Sequence, residues 1–208
     1  MKRFDCLKLL NELITDQLVV VTLGVTGDEW YALNRRDSNL YLSSMGYVTP
    51  AAMGLAMALP HRKVVVLDSD GSLLLNLGSL ATLAVERPSN MAVFVFDNEC
   101  YESIGGPPSA TGAGVDLAAM AQGAGIKQAL TVRQLDEFEA VAKKSLAAGE
   151  LSLVVVKIER AIEKVTPKGL DIWENKYRFV RYIESSEKVA ILSAPTQKRR
   201  DPLGFSKD

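Results

Sequence analysis

Two polar clusters at the ends of hydrophobic runs carry the chemistry of this chain. Asp70 follows Val64-Val65-Val66-Leu67-Asp68-Ser69, and Asn98 follows Met91-Ala92-Val93-Phe94-Val95-Phe96-Asp97. Such runs read as buried parallel strands. In open α/β sheets, ligands bind in the crevice outside the carboxyl ends of the strands. One carboxylate, one amide oxygen and the Gly71-Ser72 turn at a helix start suit a magnesium ion holding a diphosphate. Asp70-Gly71 in isolation is equally well a surface turn.

The elements around these clusters must place them side by side. Leu73 to Val85 is long and apolar enough for one crossover helix, giving a βαβ unit. Before it, Phe4, Leu7, Leu10, Leu13 and Ile14 recur at helical spacing, with Asp5 as N-cap. Gln17 to Leu23 reads as a strand ending at Gly24, and Gly27-Asp28 opens a short helix through Leu33. Asn39 to Leu42 reads as a short strand leading to Ser43-Ser44. Thr49-Pro50 opens a small-residue helix, with Thr as N-cap and Pro at the first helical position. Gly105 to Gly114, rich in Gly and Pro, reads as a loop. Beyond it come a helix capped by Asp116, a strand at Ala129 to Val132, a helix at Leu135 to Leu146 and a strand at Leu151 to Ile158. This alternation implies an α/β fold: a parallel sheet with helices on both faces, over residues 1–160. Residues 161–208 form an extension. In it Pro167-Lys168-Gly169 is a linker, Ile172, Trp173, Tyr177, Val180 and Ile183 mark an amphipathic helix at about 170–185, and a mobile tail begins near Pro195.

The stretch Ser69-Asp70-Gly71-Ser72 through Asp97-Asn98-Glu99-Cys100-Tyr101 resembles the metal and diphosphate motif of thiamine diphosphate enzymes. That motif is Gly-Asp-Gly followed, after a helix and a strand, by Asn. Ser44-Met45-Gly46-Tyr47-Val48-Thr49-Pro50-Ala51-Ala52-Met53-Gly54 is similar to a segment of acetolactate synthases and related decarboxylases. Asp70 to Leu80 looks most like the sulfopyruvate and phosphonopyruvate decarboxylases. The chain departs from the pattern at Ser69, where Gly is usual, and at Glu99, where Gly or Asn is common.

The resemblance implies that thiamine diphosphate and Mg2+ are bound by the diphosphate-binding domain of such an enzyme. It makes the Asp70 carboxylate, the Asn98 side-chain oxygen and the Cys100 main-chain carbonyl the metal ligands. It places Gly24, Ser44, Ser69, Gly71, Ser72, Leu73 and Tyr101 around the cofactor, with N–H groups of Gly71, Ser72 and Leu73 toward the phosphates. Ser69 keeps a further N–H. Met45 becomes the wedge that bends the cofactor into a V shape; by residue type alone it is an ordinary core methionine. Tyr101, Glu102, Ser103 and Ile104 border the substrate opening, and Gly105 to Gly114 is a candidate lid. By residue type, Glu99 and Glu102 are solvated loop carboxylates.

The activating glutamate of this family lies on a separate pyrimidine-binding domain, which a chain of 208 residues has no room for beside the diphosphate-binding one. The implied arrangement is a split enzyme. This chain is the β-type subunit, and a companion α subunit donates the glutamate in an α2β2 or larger assembly. The implied activity is decarboxylation of a small anionic 2-oxoacid bearing a sulfonate or phosphonate. An acetolactate synthase-like carboligase subunit and a noncatalytic cofactor-binding scaffold are the alternatives.

Composition narrows the remaining classes. With 48% hydrophobic and 24% charged residues and a net charge of −1, the chain offers no electrostatic case for nucleic acid or an anionic membrane. Lys198-Arg199-Arg200 reads as a solvated tail. Cys6 and Cys100 are too few for a disulfide framework, and the expected location is cytoplasmic. Cys100 has no cationic activator nearby in sequence and is not expected to act as a nucleophile. His61 sits in a Pro-His-Arg turn away from the strand ends.

Overall fold

The computed structural model describes residues 1–192; the expected tail from Pro195 and the basic cluster at Lys198 lie outside the described residues. Six strands form one all-parallel sheet: β1 (Leu18–Val21), β2 (Asn39–Tyr41), β3 (Val64–Ser69), β4 (Met91–Asp97), β5 (Gln128–Val132) and β6 (Ser152–Lys157). Their spatial order is β2-β1-β3-β4-β6-β5, so β3 and β4 are central neighbours, with Leu67 opposite Phe94 and Ser69 opposite Phe96.

The central strands are continuous apolar runs because both faces are covered. Val64, Val66, Val93, Val95 and Val155 point to one face. There they meet α3 (Val48–Ala58), α4 (Asp70–Leu74), α5 (Gly78–Glu86), α6 (Leu117–Ala124) and α8 (Ile172–Glu187). Val65, Leu67, Phe94, Phe96 and Val154 point to the other, against α1 (Arg3–Leu13), α2 (Val25–Leu33) and α7 (Leu135–Ala147). Truncating a fully buried ring such as Phe94 to alanine costs about 3–5 kcal/mol.

Several local expectations are corrected. The single crossover helix is broken into α4 and α5. Leu75 and Asn76 close i→i+3 bonds onto Ser72 and Leu73, and the Asn76 side chain donates to Gly46 O at 2.9 Å instead of facing solvent. Thr49 does not cap α3, which starts at Val48; its hydroxyl donates to the buried Asp68 carboxyl at 2.8 Å instead. Pro50 is still tolerated, because the first-turn N–H groups of a helix have no internal partner. Asp5 lies inside the first turn of α1, whose N-cap is Lys2. The helix expected from Gly27 begins at Val25, with Gly24 as N-cap at φ +74, a conformation open to glycine. The Asp116 cap is as expected, accepting from Ala118 and Ala119 N–H.

One stripe of α8 (Asn175, Phe179, Ile183) is buried against β2 and the adjoining core. Asn175 donates to Tyr41 O at 2.7 Å and accepts from Tyr41 N at 3.2 Å, so its amide replaces a missing neighbour on that edge strand. Ile172, Trp173 and Tyr177, read from the sequence as part of the same apolar face, are exposed. His61 lies in the turn after α3 and binds Glu187 Oε2 at 2.6 Å.

Candidate active site

The carboxyl ends of β1, β3 and β4 open on one cavity. Thr22, Leu23, Gly24, Val25 and Thr26 line it from the β1–α2 turn, Met45 from the segment before α3, Ser69, Asp70 and Gly71 from the β3–α4 turn, and Asn98, Cys100 and Tyr101 from the segment after β4. The sequence-expected residues Gly24, Met45, Ser69, Asp70, Gly71, Asn98, Cys100 and Tyr101 thus share one lining. Ser44 is exposed outside it. Ser72 and Leu73 are buried beneath it, Ser72 Oγ accepting from Gly46 N at 3.1 Å and Leu73 joining the core. Ile104 is 73% exposed and does not line the cavity, whereas Glu102 and Ser103 do.

The Ser69-for-Gly departure carries no backbone strain: φ is −126° and ψ 159°, ordinary extended backbone. Its Oγ accepts from Ser72 N at 3.4 Å and so caps α4. Its N–H donates to Asp68 Oδ1 at 2.9 Å, so it is taken rather than available to a phosphate. Glu99 has φ +62°, the left-handed region that favours Gly or Asn. Its carboxylate is held by Lys157 Nζ at 2.8 Å, and its N–H donates to Asp97 Oδ1 at 3.0 Å.

Gly71 is a close-approach position. A Cβ there would lie 2.6 Å from Tyr101 Cε1 and 3.4 Å from Met45 Cε, so the Tyr101 ring and the Met45 tip both occupy the space that a side chain at this position would need. Met45 is fixed from below: Gly46, at φ +79°, is gripped through its N–H by Ser72 and through its O by Asn76.

Asp70 is 1% exposed. Burial pushes its carboxyl above the ordinary value, the Ser109 hydrogen bond pulls it back, and neighbouring Asp97 adds to the rise. Ser109 Oγ donates to Asp70 Oδ2 at 2.6 Å, and Thr111 Oγ1 lies 3.2 Å from the same oxygen and 2.8 Å from Asp97 Oδ1. Asp97 is neutralised by Lys157 at 2.8 Å, whereas Asp70 is in no ion pair among the described residues. Asn98 Oδ1 accepts from Cys100 N at 3.2 Å. The buried Cys100 thiol is pushed up by desolvation, which disfavours a nucleophilic thiolate.

A buried carboxylate with no cationic partner, beside an amide oxygen and the uncapped N-terminus of α2, is a donor set that suits a hard cation arriving with a phosphate. Among the described residues, no three His, Cys, Asp or Glu side chains converge on a metal position, so carbonyl and phosphate oxygens must complete such a shell.

Two groups of site residues were not legible in the sequence. Ser109 and Thr111 lie in a Gly/Pro-rich loop where hydroxyl residues are commonplace. Arg3 lines the cavity from α1, with Nε 2.8 Å from the fully buried Glu29 and NH2 3.2 Å from Glu102. Glu102 is therefore tied to an arginine and not a solvated loop carboxylate. One signal was available: Arg3, Cys6, Leu7 and Leu10 follow the i, i+3, i+4, i+7 spacing of a buried helix face.

With this geometry in place, comparison with known proteins is specific. Residues 28–156 match the model for the thiamine pyrophosphate enzyme, C-terminal TPP binding domain. The chain is 33% identical to sulfopyruvate decarboxylase subunit beta of Methanocaldococcus jannaschii, over 89% of this chain and 98% of that one. It is 38% identical to phosphonopyruvate decarboxylase of Streptomyces viridochromogenes, over 73% of this chain but 38% of that protein. The solved benzoylformate decarboxylase of Polynucleobacter necessarius superposes with a TM-score of 0.70 at 23% identity, over 79% of this chain and 34% of that one, a likeness of fold. This chain belongs to the thiamine pyrophosphate enzyme family, as its C-terminal TPP-binding domain.

Proposed function

We propose that this chain is the β-type subunit of a split thiamine diphosphate-dependent decarboxylase acting on a small 2-oxoacid with a second anionic group, a sulfonate or phosphonate. The observation that carries the reading is the convergence of Asp70, Asn98, Cys100 and Met45 on one cavity at the carboxyl ends of β1, β3 and β4. The names and coverage of the sulfopyruvate and phosphonopyruvate decarboxylases support the substrate class and the subunit role.

In this reading the Asp70 carboxylate, the Asn98 side-chain oxygen and the Cys100 main-chain carbonyl hold Mg2+. The N–H groups of Gly71, Ser72 and Leu73 at the β3–α4 turn meet the diphosphate, Ser72 N giving up its long 3.4 Å bond to Ser69 Oγ, and the free N–H groups at the start of α2 add to them. Met45, pinned through Gly46, sets the conformation of the bound cofactor, and Tyr101 closes the cavity over Gly71. Thiamine diphosphate, when bound, supplies the electron sink for loss of carbon dioxide. Glu102, the glutamate in the cavity lining, is tied to Arg3. As the family resemblance implies, the activating glutamate comes from a companion α subunit in an α2β2 or larger assembly, which is expected to be cytoplasmic. Among the described residues no helix is long and apolar enough to cross a membrane.

The test is reconstitution. The purified chain lacks decarboxylase activity, and adding the companion restores release of carbon dioxide and the aldehyde from sulfopyruvate or phosphonopyruvate. Full activity from the lone chain refutes the split arrangement. A condensed product formed with a second acceptor acid assigns the chain to the carboligases instead. Turnover unchanged by Asp70→Ala in the complex assigns it a scaffold role.

A further inference from the structure

The loop after β4 ties the strand end to the hydroxyl residues that meet Asp70. It folds back on itself: Cys100 and Pro108 form an antiparallel bridge, Ser109 N donates to Glu99 O at 3.1 Å, and Tyr101 N donates to Pro107 O at 2.9 Å. Gly112 lies so close that a Cβ there would be 2.8 Å from Glu99 O. The strand-end segment Asn98–Cys100 and the hydroxyl segment at 109–111 are therefore one packed unit. Ser109 and Thr111 are 3% and 4% exposed, and both hydroxyls face carboxylates.

Proton counting separates their roles. Each hydroxyl has one proton to give. The proton of Thr111 goes to Asp97 Oδ1 at 2.8 Å, nearer than Ser109 Oγ at 2.9 Å and Asp70 Oδ2 at 3.2 Å, and charged where Ser109 is not. Ser109, 2.6 Å from Asp70 Oδ2, is then the hydroxyl that holds Asp70. Among the described residues the side-chain hydroxyls that approach this carboxyl both reach Oδ2 and neither reaches Oδ1; the Gly71 N–H is a further, backbone donor to the carboxyl. Behind Thr111, Asp97 is fixed by Lys157, its register partner on β6. Burial alone would lower the Lys157 ammonium, but its hydrogen bonds to Asp97 and Glu99 hold it above its ordinary value. Lys157, Asp97 and Thr111 thus clamp the loop that carries Ser109.

We propose that Ser109 is the positioning residue of the cation site. Its hydroxyl locks one oxygen of Asp70 and leaves Oδ1 to the metal, and the Thr111–Asp97–Lys157 chain holds Ser109 in place. A flexible carboxylate becomes a preorganised ligand, and the loop presenting the Cys100 carbonyl is tied to the same ion. This inference rests on the assignment of Asp70 as a metal ligand.

The experiment titrates Mn2+ against the full chain co-purified with its companion, in the presence of thiamine diphosphate, and reads free Mn2+ by electron paramagnetic resonance. Loss of an outer-shell partner typically weakens metal binding ~10–100-fold. Ser109→Ala is expected to raise the Mn2+ dissociation constant by about that factor, and Ser109→Thr, which keeps the hydroxyl, restores it. In turnover, the half-saturating Mg2+ concentration rises by more than kcat falls. Ser109→Cys keeps the volume, weakens the donor and shifts the constant in the same direction. Mn2+ affinity within about twofold of the wild type in Ser109→Ala, with binding abolished in Asp70→Ala, overturns the role of Ser109 and leaves the metal assignment standing. Unchanged Mn2+ binding in Asp70→Ala overturns both.

Discussion

Replacing Arg3 by methionine isolates the buried ion pair beneath the cavity. Arg3 Nε lies 2.8 Å from Glu29 Oε2, with side-chain exposures of 4% and 0%. Glu29 also accepts from Glu163 N at 3.0 Å, so it is fixed in place and has no route to water. Breaking a buried pair from one side strands a charge and costs about 3–5 kcal/mol. Total stability for such a domain is about 5–15 kcal/mol, so Arg3→Met removes a large fraction of it. At roughly 2–4 °C per kcal/mol for a chain of this size, the melting temperature falls by about 6–20 °C. Glu102, the second partner, has a side chain 13% exposed and can turn to solvent, so it adds less. The double variant Arg3→Met/Glu29→Met removes both charges and recovers most of the loss, because the penalty comes from the stranded carboxylate. Urea and thermal unfolding of the wild type, the two single variants and the double variant measure the coupling. A loss under about 1 kcal/mol for Arg3→Met, or a double variant as unstable as the sum of the singles, refutes the argument.

Gly71→Ala forces the Tyr101 ring to withdraw from a 2.6 Å approach. Overpacking of this kind costs about 1–3 kcal/mol; borne by the bound state, that lowers calorimetric affinity for thiamine diphosphate by about 5- to 150-fold, and an unchanged affinity removes Gly71 from the close-approach role. Glu187 is held below its ordinary carboxylate value by its hydrogen bond to His61, aided by Arg62. Its contribution to folding is present above the unfolded value and is lost as pH falls from 4.5 through the lowered folded value. Glu187→Gln should therefore flatten the acid limb of stability measured in urea across that window, and an identical acid limb in the variant assigns the loss to other carboxylates.

The parallel sheet was legible because both of its faces are buried. Val64 to Leu67 and Met91 to Phe96 have no polar alternation to disguise them, and the polar residues Asp70 and Asn98 that follow stand out against those runs. Local detail was lost wherever a side chain serves a distant partner. Thr49 and Pro50 spell a helix start, but the Thr49 hydroxyl is committed to Asp68 across the α3–β3 connection. Asn76 looks like an ordinary helix residue, yet it grips Gly46 and the helix breaks there. Ser109 is 39 residues from Asp70, and Arg3 is 99 from Glu102. No local pattern encodes such pairs, because parallel topology brings strand ends and their loops together only after the whole sheet has formed. Trp173 and Tyr177 share the helical spacing of Phe179 and Ile183, and spacing alone did not separate the stripe that faces β2 from the one that faces solvent.

In the proposed function, Asp70 and Asn98 hold a divalent cation that in turn holds the diphosphate of the cofactor. Equilibrium binding of thiamine diphosphate to the full chain with its companion, with Mg2+ present and with Mg2+ chelated, tests it most directly. Binding is expected to require Mg2+ in the wild type and to be lost in both Asp70→Ala and Asn98→Ala, while each variant keeps its fold by circular dichroism. Binding of equal affinity without the metal, or undiminished binding in either variant, contradicts it.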